Sequence, residues 1–179
     1  MARAPFTLAV PVNHSDHFFG PHTGRVTMVE YGDFQCPDCL QAYHALDILL
    51  KHFGHDLRLV YRHFPLREVH PQAELAAEAS EAAAAQGHFH AMHRLLFEHQ
   101  QHLKPADLRR YAEELEMDLQ RYDFEMDDHV YLQRVQEHIA GAEQSGVHGT
   151  PTLFVNGQLC DVSGGYERLR EAINKVLGK

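Results

Sequence analysis

The spacing of apolar residues changes along the chain, and this change constrains the fold most. A run rich in β-branched residues, RVTMVEY (25–31), predicts a buried strand. Helical spacing follows from 40 to 53, and Gly54 is the expected C-terminal cap. LRLVYRHF (57–64) then predicts a second strand. A strand, a helix and a strand in this order favour a parallel pair with a right-handed crossover.

The second half of the chain carries two further patterns. Helical spacing runs from 70 to 146, so we expect four or five packed helices there. TPTLFVNGQLCDV (150–162) places two short apolar runs around Asn156-Gly157 and predicts a type I′ hairpin. The tail (166–177) predicts a closing helix with an apolar stripe of Leu169, Ile173, Val176 and Leu177. These patterns predict an α/β core interrupted by a helical insertion.

Composition limits the classes of function. The chain has 179 residues, 44% of them apolar, and a formal net charge of −9, which predicts a soluble globular protein. No cluster of Lys and Arg is present, so we expect neither nucleic acid nor a membrane as a partner. The start of the chain (1–16) is a poor match to a secretory signal. We therefore expect a cytoplasmic monomer, or a periplasmic or extracytoplasmic one if the sequence is a processed form.

Two cysteines lie three residues apart where the first strand gives way to the helix. Cys36 falls at the helix start, where free N–H groups and the helix dipole lower a thiol's pKa, and Pro37 suits the first turn. Cys39 lies one turn on, within reach for a small disulfide. Disulfide exchange requires a thiolate with a partner thiol close by. The pattern predicts an exposed nucleophile at Cys36 and a resolving thiol at Cys39.

A zinc site is the competing interpretation of the same cysteines. A lone C-x-x-C is also half a tetrahedral zinc site, which would require two further ligands. The chain has no second C-x-x-C, but its 16 histidines supply candidate ligands. A zinc-binding Cys/His protein therefore remains an alternative, although the strand-to-helix junction favours redox chemistry.

The cysteine pair and GTPTLFVNG (149–157) together resemble the thioredoxin superfamily. The helical insertion makes the chain similar to the DsbA-like thiol-disulfide oxidoreductases, from about Val26 to Leu177. The resemblance implies a thioredoxin fold, with residues 1–68 and 147–179 in one discontinuous domain and 69–146 in an all-helical insertion domain. It implies no metal and no cofactor. The expected partners are protein or small-molecule thiols and disulfides, and a redox regeneration partner.

The resemblance also implies roles for residues around the pair. Thr150-Pro151 matches the position of a cis-proline that presents backbone to an extended substrate. Glu30 matches a buried acidic residue under the active site, whose carboxylate would accept or relay the proton of Cys39. Asp33 is the competing carboxylate nearby. A fold relative that uses glutathione as a transferase or isomerase is a second alternative, but such proteins usually lack the intact pair.

One residue between the cysteines departs from the strongly oxidising members. Those members resemble one another in placing His next to the second cysteine, whereas this chain has Asp38. A carboxylate close to Cys36 should raise the thiol's pKa, so we expect a reducing or near-neutral pair. His148 could compensate in part if its ring faces the thiolate. Cys160 has apolar neighbours and is expected to be a buried small residue.

Overall fold

The computed structural model describes residues 6–179, and part of the N-terminal stretch used in the signal argument (1–5) lies outside them. The helices and strands, in chain order, are β1 (His17–Phe19), β2 (Val26–Gly32), α1 (Pro37–Phe53), β3 (Leu57–His63), α2 (Ala73–Ala85), α3 (Phe89–Glu98), α4 (Pro105–Glu114), α5 (Leu119–Asp127), α6 (Leu132–Gln144), β4 (Thr152–Val155), β5 (Gln158–Cys160) and α7 (Gly165–Leu177).

The strands form one mixed sheet in the order β1-β3-β2-β4-β5. β2 and β3 are parallel and joined through α1, which confirms the predicted strand–helix–strand unit. β4 runs antiparallel to β2, and β5 pairs antiparallel with β4. β1 extends the sheet by an antiparallel pairing with β3. The sequence did not predict β1, because three residues are too short to show a periodicity.

Successive residues of β2 point to opposite faces of the sheet, as in any strand. Val26 and Met28 pack in a core with α1 and α7, where Leu169 and Ile173 are buried. The other face carries a second core, formed by Val29, Tyr31, Val60, Phe64, Ala142, Val147 and Phe154. Val176, which the predicted stripe of α7 included, is 43% exposed, so the buried stripe of that helix excludes it.

The hairpin between β4 and β5 has the predicted turn. Asn156 and Gly157 both have positive φ angles, 46° and 79°, as a type I′ turn requires. The Asn156 side chain also accepts a hydrogen bond from the backbone N–H of Thr27 at 2.7 Å. The turn is therefore held against the start of β2.

Five helices, α2 to α6, occupy the chain between β3 and β4, within the predicted insertion (69–146). They bury a core that also includes both cysteines, and its members from the helical segment include Met92, Leu96, Phe97, Leu108 and Tyr111. The cysteine pair therefore lies where the helical segment meets the sheet. The domain boundaries at 68/69 and 146/147 stay predictions.

Candidate active site

The two cysteines are placed by the start of α1. Cys36 is the N-cap residue with an extended backbone, and Pro37 occupies the first helical position. The Cys36 carbonyl accepts hydrogen bonds from the N–H groups of Cys39 at 3.1 Å and Leu40 at 3.3 Å. It also accepts one from the buried Gln100 side chain at 2.7 Å. Gln100 begins the loop after α3, and no pattern in the sequence singled it out.

Cys36 is less accessible than the sequence predicted. Only 5% of its surface is exposed, and its sulfur lies 3.5 Å from the backbone carbonyl oxygen of Thr150. A hydrogen bond from the Cys39 thiol is the largest cause that lowers the pKa of Cys36, to about 5. Burial raises the pKa of the Cys36 thiol, whereas hydrogen bonds from the backbone of Cys39 and Asp38 also lower it. The Cys36 thiol is therefore ionised at neutral pH.

The expected effect of Asp38 on this pKa is wrong. The Asp38 side chain is exposed to solvent, where water screens its charge. Its backbone hydrogen bond to Cys36 acts in the opposite direction and lowers the pKa of the thiol. The reducing or near-neutral behaviour of the pair, which was expected from Asp38, stays a prediction.

Cys39 has the opposite environment. Its side chain is fully buried, and its sulfur accepts a hydrogen bond from the Asp33 N–H at 3.4 Å. Burial raises the pKa of the Cys39 thiol far above its usual value, and the nearby Cys36 and Glu30 add to the effect. Cys39 is a protonated thiol that requires a base before it can attack a disulfide.

Glu30 lies on β2 beneath the pair and is almost completely buried. One of its carboxyl oxygens, Oε1, has no hydrogen-bond partner among the described residues. Burial, and to a smaller extent the charge of Cys36, raise the pKa of Glu30 to about 8. The carboxyl group can therefore gain and lose a proton near neutral pH.

Asp33, the competing carboxylate, is occupied by other groups. Its oxygens accept hydrogen bonds from the N–H of Gln35 at 2.7 Å and of Leu66 at 2.8 Å, and one oxygen is 2.8 Å from Nδ1 of His70. Asp33 fixes the loop before Cys36, whereas Oε1 of Glu30 has no hydrogen-bond partner in residues 6–179.

The late proline lies beside the nucleophile. The Thr150-Pro151 peptide bond is cis. A groove with a volume of about 470 Å³ runs from this segment along one face of α1, lined by Asp38, Gln41, Ala42, Pro151, Tyr166 and Leu169 among others. An extended chain placed in this groove would lie next to Cys36.

Two residues that the sequence drew attention to lie outside this arrangement. His148 is exposed in the loop before β4, and among residues 6–179 no hydrogen bond or ion pair joins it to Cys36. Cys160 is half-buried on β5, and burial raises the pKa of its thiol. Cys160 is therefore a protonated thiol outside the catalytic pair.

The histidines do not complete a zinc site with the cysteines in the part of the chain that the structure describes. One cluster has suitable donors, His17, His63 and Glu81, and it excludes both cysteines. Both histidine Nε2 atoms lie 2.8 Å from the same Glu81 oxygen, and Arg134 is bonded to the other oxygen at 2.8 Å. These are hydrogen-bond distances, and they describe a buried charge network that joins β1, β3, α2 and α6.

Comparisons with known proteins agree with this geometry. The family model described as Thioredoxin matches residues 12–175. BdbD from Bacillus subtilis, in its oxidised form, superposes with a TM-score of 0.87 at 22% identity and covers 98% of this chain and 100% of its own. A thioredoxin-like oxidoreductase from Silicibacter pomeroyi gives a TM-score of 0.79 at 27% identity, with 93% and 95% coverage.

A longer relative shares more of the sequence. The Na(+)/H(+) antiporter NhaA 1 of Salinispora arenicola is 49% identical over 170 residues, which is 94% of this chain and 26% of that protein. The chain thus spans about a quarter of the length of the curated relatives it matches. In residues 6–179 no helix is both long and apolar enough to cross a membrane.

The chain belongs to the thioredoxin family, and its fold carries a helical segment between β3 and β4. The predicted fold class, α/β with a thioredoxin fold and an inserted helical segment, is confirmed.

Proposed function

We propose that the chain exchanges disulfides with protein thiols and acts in the oxidising direction. The observation that carries this proposal is the contrast between the thiols, with the pKa of Cys36 at about 5 and that of Cys39 raised by burial. A stabilised thiolate at Cys36 favours the reduced pair, and a pair that favours its reduced form donates its disulfide readily. This proposal replaces the reducing or near-neutral behaviour expected from Asp38.

The exchange proceeds in two attacks. A substrate thiolate attacks Sγ of Cys36 in the Cys36–Cys39 disulfide, a bond to the substrate sulfur forms, and Cys39 leaves as a thiolate. Cys39 then takes a proton from the Glu30 carboxyl group. A second substrate thiolate attacks the substrate sulfur of the mixed disulfide, and Cys36 leaves as a thiolate. Two electrons pass to the cysteine pair, and a disulfide-bearing regeneration partner removes them.

Other residues support these attacks. In the proposal, Thr150 and Pro151 hold an extended substrate beside Cys36, because the groove runs past both. Pro37 starts the helix, and the backbone of Asp38 stabilises the thiolate. His148 is exposed, so we assign it no contact with the thiolate. We propose that it lies at the edge of the site, where the substrate binds. The monomeric state and the cytoplasmic location, with its periplasmic alternative, stay predictions.

The test is to trap the covalent intermediate. In a Cys39→Ser variant, Cys36 is first converted to its mixed disulfide with glutathione by oxidised glutathione. The thiolate of a reduced peptide should then attack Sγ of Cys36, release glutathione as a thiolate and form a stable mixed disulfide, because no resolving thiol remains. Cys36→Ser should form none and should lose oxidase activity towards a reduced, unfolded substrate. Cys160→Ser should retain that activity and, when combined with Cys39→Ser, should still form the mixed disulfide. A mixed disulfide that forms equally well in Cys36→Ser would contradict the assignment of the nucleophile.

A further inference from the structure

A cavity lies between α1 and α3, over the face of the sheet that carries Glu30. It has a volume of about 170 Å³, and strands β1, β2 and β3 form its floor. None of its lining residues belongs to the groove beside Thr150-Pro151, so the two are separate sites. The cavity opens to solvent at three exposed side chains, those of Asp47, His90 and Arg94.

The walls of this cavity are mainly apolar. They are formed by the side chains of Phe19, Tyr43, Leu46, Leu50 and Leu59. An apolar cavity of about 150 Å³, lined by aliphatic and aromatic side chains, is large enough to bind benzene. The volume and the walls of this cavity therefore suit a molecule with a single six-membered ring.

Two polar side chains interrupt the apolar wall. Glu30 is 2% exposed and His93 is 4% exposed, and both line the cavity. Oε1 of Glu30 and both ring nitrogens of His93 have no hydrogen-bond partner among residues 6–179. Buried polar groups are normally paired, so these atoms mark a place where a ligand would supply the missing partner. A hydroxyl group both donates and accepts, and it could pair with each of these side chains.

The charges at the site favour a neutral ligand. Burial raises the pKa of Glu30 to about 8 and holds that of His93 well below its usual value, so both groups are mainly neutral at neutral pH. An ionised ligand between them would lose its hydration without gaining a counter-charge, which is costly. At the opening, Asp47 and Arg94 carry opposite charges and together favour neither sign.

The rings around His93 favour an aromatic ligand over an aliphatic one. The centroid of the His93 ring lies 4.8 Å from that of Phe19 and 5.8 Å from that of Tyr43, and both pairs are tilted. Aromatic rings attract one another in tilted and edge-to-face arrangements at such separations. An aromatic ring in the cavity would meet the rings of Phe19 and Tyr43, which line the same wall as the leucines.

We propose that the cavity binds a small neutral aromatic alcohol of the phenol class. The ring lies among Leu46, Leu50 and Leu59, and the hydroxyl group is hydrogen-bonded to Glu30 and His93. Binding of this kind requires neither cysteine, so the inference goes beyond the proposed function and does not depend on it.

Phenol itself is the probe. It is titrated at neutral pH into the oxidised protein, in which Cys36 and Cys39 are joined, with the leucine methyl groups labelled with ¹³C for NMR. We expect saturable one-to-one binding, with nuclear Overhauser effects from the phenol ring to the methyl groups of three leucines, Leu46, Leu50 and Leu59. Leu169, which lines the substrate groove, should show none.

Two analogues test the chemistry of the ligand. Toluene has nearly the same shape as phenol but no hydroxyl group, and benzoate carries a charge. We expect both to bind about tenfold more weakly than phenol or worse, because a site with buried polar groups rejects an analogue that leaves them unpaired. His93→Phe keeps a ring but removes both nitrogens, so it should reduce the preference for phenol over toluene.

A pair of variants on α1 tests the location. Leu50→Phe adds volume to the wall and should weaken phenol binding by about tenfold or more, since a filled cavity has no room for the ring. Ile48→Phe is the matched control, because Ile48 is 53% exposed and lies outside the cavity. Its affinity for phenol should equal that of the wild type.

Three results would overturn the inference. The first is the absence of saturable binding, and the second is contact of phenol with Leu169 in place of the three cavity leucines. The third is toluene binding as tightly as phenol, which would show that Glu30 and His93 do not recognise a hydroxyl group. The methyl contacts are measured in the wild type, so they decide the location even if Leu50→Phe does not fold. None of these measurements involves disulfide exchange, and failure of the proposed function would leave them unchanged.

Discussion

The two sulfur atoms of the pair differ in what surrounds them, and the difference assigns their roles. Cys36 receives hydrogen bonds from the Cys39 thiol and from backbone groups, whereas Cys39 is fully buried next to the Glu30 carboxyl group. The proposed attack by the Cys36 thiolate and the proposed proton exchange at Cys39 rest on this arrangement. The chemistry requires no metal or organic cofactor to move the two electrons.

The acidity of Cys36 can be measured directly. Thiolate absorbance at 240 nm should titrate with a midpoint near pH 5. Cys39→Ala should raise that midpoint by about one unit or more, because it removes the largest stabilising hydrogen bond. Asp38→Asn should leave it nearly unchanged, since the carboxylate is exposed and screened. A midpoint near that of a free thiol, at about 8.5, would contradict the account of the site.

The same shift predicts how stability depends on pH. The pKa of Cys36 is lowered from 9.0 in the unfolded chain to about 5 in the folded protein, so the folded thiolate stabilises the reduced form. This contribution is complete above pH 9, decreases as the pH falls, and is lost below pH 5. The disulfide form has no thiolate at this position.

The stability difference between the reduced and oxidised forms should therefore change in favour of the reduced form as the pH rises from 5 to 8. Urea unfolding of both forms at each pH measures it. Serine does not titrate in this range. The Cys36→Ser variant should therefore lose the part of the pH dependence of the unfolding free energy that comes from Cys36. A difference that is flat with pH in the wild type would show that Cys36 is not ionised.

Helix α1 is the element that organises the site. It starts at Cys36, forms one wall of the groove beside Thr150-Pro151, and crosses from β2 to β3. Its existence and bounds could be predicted from the sequence, because Cys36, Pro37, the apolar spacing and Gly54 are all local signals. The neighbours of its faces could not be predicted in the same way. Gln100 comes from the helical segment, and only tertiary packing brings its side chain to the Cys36 carbonyl.

Asp38 and Glu30 illustrate at two positions that tertiary packing cannot be predicted from local sequence signals. The sequence placed a carboxylate next to Cys36 but could not show that the Asp38 side chain points to solvent. The burial of Glu30 was an expectation from the family resemblance. In the structure Glu30 is buried because it lies in β2 on a face that packs in a core. The short strand β1 was missed because its pairing with β3 is long-range and its three residues carry no period.

Glu81 joins four elements through charged and polar contacts. It contacts His17 on β1, His63 on β3 and Arg134 on α6 from its position on α2. Because the network is buried, Glu81→Ala should leave these partners uncompensated and should lower the free energy of unfolding by about 3–5 kcal/mol. Urea denaturation measures the change. Glu114→Ala, on the exposed surface of α4, is the control and should cost less than about 0.5 kcal/mol.

A loss of less than about 1 kcal/mol in Glu81→Ala would mean that the network adds little to the docking of α2 and α6 on the sheet. The result would leave the catalytic pair untouched, because none of the network residues contacts a cysteine in the described part of the chain.

At the scale of the whole molecule, the reactive pair lies at the junction of the sheet and the helical segment. Both cysteines belong to the core that packs α2 to α5 against α1. The agreement with BdbD, a TM-score of 0.87 at only 22% identity, shows that this fold persists through extensive sequence change. The region that matches this chain makes up about a quarter of the length of the longer relatives. The name Na(+)/H(+) antiporter is the name of those longer proteins.

The measurement that tests the central claim most directly is the reduction potential of the Cys36–Cys39 pair, equilibrated against a glutathione series and read by thiol trapping. The stabilised thiolate predicts an oxidising pair, above about −180 mV and towards about −120 mV, with Asp38→Asn close to the wild type. A potential near about −270 mV, which rises when Asp38 is neutralised, would contradict the account and restore a reducing pair controlled by that carboxylate.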